Sequence, residues 1–455
     1  MKISFKIIIA VISALGMAGC LTVRLPEAHI EHASQPETLT WPQLVRKALQ
    51  FNPDLQSARS VVTSTARSRD IAAGDYLPSF EGDLQRGVSG GSSKGGSSVF
   101  PGSGGGSALR DNLSLDLVGN QSLFNGFGTT GNFLKAKKDL DAAKFQYVVT
   151  SANVRNALRL AYVDSLRWNR LWKVNQGIRE RRKQNAEMVR LRYEAGRENQ
   201  GSALRAEALA AQAAYDVQAA ERYINSQTLR LARVSGGGFV LPVAITDSLE
   251  QLVPLAVIQE PDYAEIAENL PQVQRLVKVA ESAKANIVAA QSSVWPQVDG
   301  TMDYGESGER VSNLKSEHSW LLNVSVPFFN GGKNVNAIRK AKADYEAARA
   351  LAVSARDEAI AQLADAWTKY MNAIDTIAVR KKFLEASQKR AEIVRAEYAS
   401  GMMTFQDFDT AEQEQNNAEN DYVQSLADVS NTQANWEMIR GKTLEDDLNA
   451  NKESV

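Results

Sequence analysis

The sequence contains a single cysteine, Cys20, and only three histidines among its 455 residues. One cysteine cannot form a disulfide within the chain, and His29, His32 and His318 do not have the spacing of metal ligands. We also find no arrangement of Ser, His and Asp that would indicate a nucleophilic enzyme. The sequence therefore predicts no metal, no cofactor and no catalytic activity.

An excess of either charge is also missing, because 52 Lys and Arg residues face 53 Asp and Glu residues. The chain thus lacks the strongly basic character that nucleic-acid binding requires. Its mean hydropathy is −0.31, and beyond the N-terminus no apolar run is long enough to cross a bilayer as a helix. If the chain crosses a membrane, it must therefore do so as a closed β-barrel, in which every backbone group is paired.

The N-terminus has the pattern of a secretion signal. Two lysines precede a short apolar stretch, residues 7–15, and a few small residues then lead to Cys20. A basic start, a short apolar core and small residues before the break are typical of a cleaved signal peptide. The Ala-Gly-Cys segment resembles a bacterial lipobox, so we predict lipid attachment to Cys20. The alternative is an ordinary secretory signal followed by an incidental cysteine.

The strongest pattern in the sequence is an internal duplication. Pro271 and Pro296 follow Pro53 and Pro78 at one and the same interval. Further along, four more motifs occur twice, separated by a second, slightly shorter interval. They are Phe-Asn-Gly at Phe124 and Phe329, Ala-Glu-x-Val-Arg at Ala186 and Ala391, Tyr-x-x-Gly at Tyr193 and Tyr398, and a single glycine at Gly236 and Gly441. We call this second interval the repeat offset. The interval changes across the Gly/Ser-rich residues 87–107, which predicts a longer loop in the first copy.

Both copies predict the same order of elements. A helix ended by a proline leads into two strands around a loop, then into a very long helix, a break at a glycine and a second long helix. We accordingly divide the chain into a signal peptide (1–19), an N-terminal linker (20–38), a first repeat (39–236), an inter-repeat linker (237–261), a second repeat (262–441) and a C-terminal tail (442–455). The tail is polar, and we expect it to be disordered.

The predicted strands alternate apolar and polar residues, as in Leu113, Leu115 and Leu117 and again over residues 322–328. A strand between lipid and water has this pattern, and so does a half-buried strand of a soluble sheet. Aromatic residues near the strand ends favour the membrane alternative. Two strands per repeat give four per chain, whereas a barrel needs roughly eight. An oligomer follows, and three chains would supply twelve strands.

The long helices are predicted because residues 130–195 and 333–400 contain no proline and only two glycines, Gly131 and Gly177. Each would extend on the order of 100 Å. A heptad stripe composed mostly of alanine follows both helices, and such small residues suit a closely packed wall of several helices. Its members are Ala136, Leu140, Ala143, Tyr147, Thr150, Val154, Ala157 and Ala161, with their counterparts Ala341, Tyr345, Ala348, Ala352, Ala355, Ala359, Gln362 and Ala366.

In the order, duplication and spacing of these features, residues 40–441 resemble the TolC-like outer-membrane efflux protein family. The paired Phe-Asn-Gly turns and Tyr-x-x-Gly tips carry the resemblance. It implies a mainly α fold with β-strands, in which a duplicated strand pair plus long helical hairpin form a homotrimer. The trimer would have a 12-stranded outer-membrane β-barrel that continues as a periplasmic α-helical barrel. Leu21 directly after Cys20, where the related lipoproteins destined for the inner membrane carry Asp, favours lipid anchoring in the outer membrane of a Gram-negative bacterium.

The resemblance also assigns roles at the hairpin tip of the second repeat. The gate tyrosine of the family corresponds to Tyr398, and its constriction aspartates correspond to Asp407 and, one position out of register, to Asp409. An aspartate on a threefold axis becomes a ring of carboxylates that favours cations. The alternative for both aspartates is the solvated outer face of the helix. Met403 stands where the family has an arginine, which predicts fewer polar contacts at the closed tip.

The function implied by the resemblance is a passive exit duct for small molecules or drugs, gated at its periplasmic end. Its partners would be a periplasmic adaptor (membrane fusion) protein and an inner-membrane transporter, with Gly196 and Gly401 at the adaptor-contacting tips. One alternative is the exit duct of a type I protein secretion system. Another is a periplasmic adaptor or structural coiled-coil lipoprotein, although adaptors generally have one hairpin and this chain predicts two.

Overall fold

The computed structural model describes residues 31–90, 109–237, 240–245, 247–253, 259–308 and 314–453. Cys20, Leu21 and the predicted signal peptide lie outside the described residues, and so does most of the Gly/Ser-rich segment. Lipid attachment therefore stays a prediction at this point.

Helices dominate the described chain, and their order occurs twice. The chain starts with β1 (Glu31–Leu39) and α1 (Trp41–Phe51). The first repeat then contains α2 (Pro53–Gly74), β2 (Ser79–Gly90), β3 (Leu109–Asn125), α3 (Gly128–Glu194) and α4 (Gln200–Val234). After β4 (Val240–Ile245), the second repeat contains α5 (Tyr263–Asn269), α6 (Pro271–Gln291), β5 (Gln297–Gly308), β6 (Lys315–Ser325), α7 (Lys333–Ser400) and α8 (Phe405–Ile439), followed by α9 (Leu444–Glu453).

The helix bounds repeat the spacing seen in the sequence. Helix α8 begins and ends at the repeat offset from α4, and both have 35 residues. Helix α7 likewise begins at the repeat offset from α3, and the two long helices have 68 and 67 residues. The proline-free stretches therefore form continuous helices, each on the order of 100 Å long. Among the described residues, no helix combines the length with the apolar character that a bilayer-spanning helix requires.

The four predicted strands form one antiparallel sheet in the order β2-β3-β5-β6. The pairing of β3 with β5 joins the two repeats, with Leu117 opposite Tyr304. Strands β2 and β6 therefore lie at the two edges of this sheet. All residues of β6 are exposed in the single chain.

The two segments that we interpreted as linkers also contain strands. β1 and β4 pair in parallel and form a separate two-stranded sheet. The sequence did not reveal this pairing, because two short strands on either side of the whole first repeat carry no repeat or turn signal that connects them. Residues 31–38 and 240–245 are therefore β-strands, and the division of the chain into repeats and linkers stays a prediction.

Short helices stand end to end beside each long helix. Asn52 caps α2 by accepting from the backbone N–H groups of Asp54 and Leu55, and its side-chain amide donates to the carbonyl of Val234 at the end of α4, 2.6 Å away. A side chain at Gly236 would collide with the backbone of Phe51 at this junction. Helices α8 and α6 meet in the same way in the second repeat, where Gly441 lies against Pro271. Each long helix is thus accompanied along its length by two shorter ones, α2 with α4 and α6 with α8.

The alanine-rich stripe is largely covered by these neighbours. Its positions on α3 and α7 are buried or half-buried, with the exceptions of Ala157 and Gln362. These two positions are related by the repeat offset and therefore equivalent, so the gap in the stripe is itself repeated. The prediction of a packed stripe is confirmed except at Ala157 and Gln362.

The prediction of a disordered tail is wrong, because residues Leu444–Glu453 form helix α9. Leu444 is fully buried, and Asp447 accepts from the Nε of the buried Arg155 on α3 at 2.8 Å. The tail is polar because its carboxylates pair with groups of α3, and not because it faces water throughout. Its main partner lies in the first repeat, far earlier in the chain, where a reading of local composition cannot find it.

Candidate functional site

The two hairpin tips lie where the sequence predicts breaks in the long helices. We call α3 with α4 the first hairpin and α7 with α8 the second hairpin. Gly196 has φ +72° and Gly401 has φ +84°, so each glycine ends its long helix in the left-handed conformation that other residues rarely adopt. Both glycines therefore have a structural role, and this role is compatible with an exposed tip that contacts a partner.

The second helix of each hairpin begins with a side-chain cap. Asn199 accepts from the backbone N–H of Ser202 at 2.9 Å, and Thr404 accepts from that of Asp407 at 3.2 Å. The Thr404 hydroxyl donates in return to Oδ2 of Asp407, 2.6 Å away. Asp407 is exposed, at the positive end of the α8 dipole, where a carboxylate is favoured. Its surroundings within one chain thus leave one face of the carboxylate open.

Tyr398 fastens the second hairpin to the first. Its side chain is only 1% exposed, and its ring stacks on Phe408 with 4.7 Å between the centroids. Its hydroxyl donates to Oε2 of Glu198 at 2.8 Å, across the gap between the hairpins. Arg192 of the first hairpin lies over the Tyr398 ring at 4.6 Å and donates to its carbonyl oxygen at 2.7 Å. Burial, an aromatic stack and three polar interactions therefore hold this residue.

The ionisation of this pair follows from its surroundings. Burial, together with the hydrogen bond to Glu198, raises the pKa of the Tyr398 hydroxyl far above its ordinary value. Burial alone would raise the pKa of Glu198, but hydrogen bonds from the Asn199 backbone and from the hydroxyls of Tyr398 and Ser202 lower it below 4.5. Tyr398 therefore remains a hydrogen-bond donor, and Glu198 a charged acceptor, at neutral pH.

Replacing Tyr398 with phenylalanine is expected to weaken the contact between the tips by about 1 kcal/mol, because Glu198 loses its donor. The contact stabilises the closed tip above pH 4.5, and this contribution is lost as the pH falls through the lowered pKa of Glu198. Variant and wild type should therefore differ at neutral pH and converge once Glu198 is protonated. The measurement is amide hydrogen exchange at residues 192–198, which reports opening of the tips both at neutral pH and below pH 4.5. The control is Tyr193→Phe, at the equivalent exposed position, and an effect of equal size there would contradict this role for Tyr398.

Asp409 lies in a different environment from Asp407. It is 4% exposed and accepts from Nη1 of Arg182 at 3.1 Å and from Nε of Arg205 at 2.8 Å. Both arginines belong to the first hairpin, whereas Asp409 belongs to the second. The carboxylate is thus an ion-paired link between the hairpins. In one chain it faces neither the open side of the duct nor the solvent on the outer side of the helix, the two positions considered from the sequence.

Further ionic contacts continue along the gap between α3 and α8. Arg181 donates to Glu419 at 2.7 Å and to Asn416 at 3.0 Å. The buried Glu412 accepts from the side-chain amide of Asn185 at 2.9 Å. We call this row the ionic seam; it comprises Arg181, Arg182, Asn185 and Arg205 of the first hairpin with Asp409, Glu412, Asn416 and Glu419 of the second.

The prediction of fewer polar contacts than in the family stays a prediction, because one chain shows only its own contacts. Met403 indeed supplies none, but Arg182 and Arg192 of the first hairpin provide them from the opposite side. Sequence reasoning missed these arginines because it followed the family pattern only within the second tip. The signal that could have found them is the cluster of arginines near the end of α3, facing a carboxylate-rich stretch at the start of α8. Among the described residues, no group of three or more His, Cys, Asp or Glu is arranged to hold a metal ion.

The chain is similar to known proteins over most of its length. The family profile described as Outer membrane efflux protein matches residues 44–237 and 263–441. The outer membrane protein OprJ of Pseudomonas aeruginosa is 26% identical over 174 residues, which cover 34% of this chain and 36% of OprJ. The probable efflux pump outer membrane protein TtgC of Pseudomonas putida is 27% identical over 137 residues, 29% of this chain and 26% of TtgC. The aligned segments thus span little more than a third of these relatives at most.

Solved structures match nearly the whole chain. CusC has a TM-score of 0.78 at 15% identity, with 92% of this chain and 98% of that chain covered. The MtrE outer membrane channel of Neisseria gonorrhoeae, in its open state, has a TM-score of 0.78 at 17% identity, covering 94% and 98%. OprN, an outer-membrane channel, has a TM-score of 0.76 at 20% identity, covering 93% and 99%. At these identities the likeness establishes the fold, a mainly helical chain with a small antiparallel sheet.

Proposed function

The chain belongs to the outer membrane efflux protein family, and from this premise we propose that it is one subunit of a homotrimeric exit duct in a tripartite efflux system. The duct is passive and lets small molecules or drugs cross the outer membrane after a pump has expelled them. It is anchored in the outer membrane and extends into the periplasm. Its gate lies at the hairpin tips.

The observation that carries this proposal is the open sheet. Its four strands end at β2 and β6, which have unpaired outer edges within the part of the chain described. A sheet of four strands cannot close on itself, since a barrel needs roughly eight. Three copies, joined β6 to β2, pair every edge in a barrel of twelve strands.

The exposed side chains of the second strand pair support the same arrangement. Trp320, Phe328 and Phe329 are 82%, 92% and 89% exposed in one chain. Large aromatic side chains in such positions fit the girdles that flank the apolar band of a membrane barrel. The outward-facing apolar residues of β6 then face lipid.

The long hairpins form the periplasmic continuation of the duct. Six hairpins from three chains give a wall of helices, and the tips at Gly196 and Gly401 are the contacts for a periplasmic adaptor that couples the duct to an inner-membrane transporter.

Cys20 carries the lipid anchor; mass spectrometry of the mature N-terminal peptide tests this. The names of OprJ and TtgC place the latter in an efflux pump, which favours efflux over type I protein secretion. The match to the family leaves the adaptor alternative without support.

The purified protein is expected to form trimers that give discrete conductance steps in a planar bilayer. In the trimer we place Asp407 on the inner side of the tips, where three exposed carboxylates attract cations. Asp407→Asn should lower the ratio of cation to anion permeability by roughly fivefold, the effect of about 1 kcal/mol. Reversal potentials in a salt gradient measure this ratio.

The matched control is Asp344→Asn, which removes an exposed carboxylate that is paired with Lys340 near the other end of the second hairpin. It should leave the ratio unchanged. If Asp407→Asn leaves the selectivity unchanged, Asp407 does not face the duct, but the proposal of a duct still stands. A protein without conductance and without trimers would overturn the proposed function.

A further inference from the structure

One chain leaves two helices at its lateral edges. The first hairpin meets the second hairpin where α3 packs against α8. Helices α4 and α7 consequently lie on the outer sides of the two hairpins. In the trimer proposed above, on which this inference depends, α7 of one copy lies beside α4 of the next.

The duplication relates the contacts between two copies to the contacts between the two hairpins of one chain. Helices α3 and α7, and likewise α4 and α8, correspond at the repeat offset, and the capping residues Asn199 and Thr404 correspond in the same way. A contact between the first and second hairpin within a chain therefore has a counterpart between the second hairpin of one copy and the first hairpin of the next. The residues that occupy these counterpart positions determine the chemistry of the boundary.

At the tips the counterpart of Glu198 is apolar, whereas Glu397 takes the place of Arg192. The contact of Tyr398 with Glu198 becomes a contact of Tyr193 with Met403. Tyr193 and Met403 are 41% and 37% exposed in a single chain, so both are free to be covered. A methionine sulfur beside an aromatic ring is a favourable contact. The methionine that replaces a polar residue of the family thus gains a partner.

Most residues of the ionic seam also have uncharged counterparts at the boundary between copies. The link of Arg182 with Asp409 has its counterpart in Ser387 and Leu204. Leu204 is 58% exposed in one chain and is therefore open to contact with a neighbouring copy. The one charged counterpart is Arg390 opposite Glu207, which replaces Asn185 opposite Glu412.

We propose that Tyr193 of one copy packs against Met403 of the next, in an apolar seam between subunits that alternates with the ionic seam within each subunit. Leu204 lies in the same apolar seam. Because salt screens ion pairs but not apolar contacts, the two seams respond differently to ionic strength.

Cysteine cross-linking tests this arrangement directly in the full-length trimer. Tyr193→Cys combined with Met403→Cys is expected to give covalent dimers and trimers of chains on oxidation or with a short bismaleimide, seen as a ladder on a non-reducing gel. Glu198→Cys with Tyr398→Cys, the counterpart pair, should close within one chain and leave its mass unchanged. The single variants report any cross-linking that does not need both introduced cysteines.

The seams are also distinguished by salt. Raising the salt concentration should slow closure of the Glu198/Tyr398 cysteine pair severalfold and leave closure of the Tyr193/Met403 pair within twofold. If the Tyr193/Met403 pair links within one chain, or fails to link with either reagent while the native mass remains that of three chains, the apolar seam is wrong. A native mass of one chain would instead overturn the proposed function.

Discussion

Replacing Asp409 with alanine is expected to open the tips of the closed duct. The substitution leaves Arg182 buried, at 5% exposure, without its charge partner. Removing one partner of a buried ion pair costs about 3–5 kcal/mol, because the remaining charge stays desolvated. That cost falls on the state in which the hairpins are in contact, so the ratio of open to closed tips should rise by roughly a hundredfold or more. The mean conductance of single trimers in a planar bilayer measures the change.

Two controls separate the buried pair from a general loss of charge. Asp421→Ala lies on the same helix and breaks a solvent-exposed pair with Arg380, which contributes about 0–1 kcal/mol. It should leave the conductance near that of wild type. In the second control, Arg182→Met added to Asp409→Ala removes the stranded charge and should restore part of the closure. If Asp409→Ala behaves like Asp421→Ala, Asp409 does not hold the hairpins together.

The backbone elements followed from local rules. The long helices could be predicted because proline is absent from them, and the tips because Gly196 and Gly401 end them in a conformation that glycine adopts readily. The strands of the large sheet showed their alternation directly. The pairing of β1 with β4 and the docking of α9 depend on contacts between residues in distant parts of the chain, and no local signal reports those.

The same distinction applies to the candidate site. The resemblance indicated Tyr398, Asp407 and Asp409 together, but the three differ in their surroundings. Asp407 is exposed and caps its own helix, which its sequence neighbour Thr404 already suggests. Asp409 is buried because Arg182 of the other repeat lies against it. Whether a carboxylate on a helix faces water or a partner is decided by the neighbouring helix, and so it could not be read from the second hairpin alone.

Replacing Arg155 with methionine is expected to release α9 from the middle of the long helices. Arg155 is 4% exposed and donates to Asp447 at 2.8 Å and to Glu437 at 2.6 Å. Burial lowers its pKa, but the two carboxylates outweigh this and raise it, so the guanidinium stays charged. Without it, the buried Asp447 and the half-buried Glu437 keep only Lys442 as a shared cation, at a cost of about 3–5 kcal/mol. The expected results are a lower melting temperature and faster tryptic cleavage after Lys442.

The pH dependence of this cluster gives an independent check. Burial alone would raise the pKa of Glu437, but Arg155 and Lys442 lower it below its ordinary value of 4.5. The stabilisation is therefore present above pH 4.5 and is lost as the pH falls through the lowered pKa. Amide hydrogen exchange in α9 is the measurement at these acidic pH values, where trypsin is inactive. Wild type should lose its protection in that range, whereas Arg155→Met should exchange rapidly throughout. Arg380→Met, on the surface, is the matched control, and equal cleavage in both variants would mean that α9 is held by its apolar contacts, with Leu444 as the anchor, and not by Arg155.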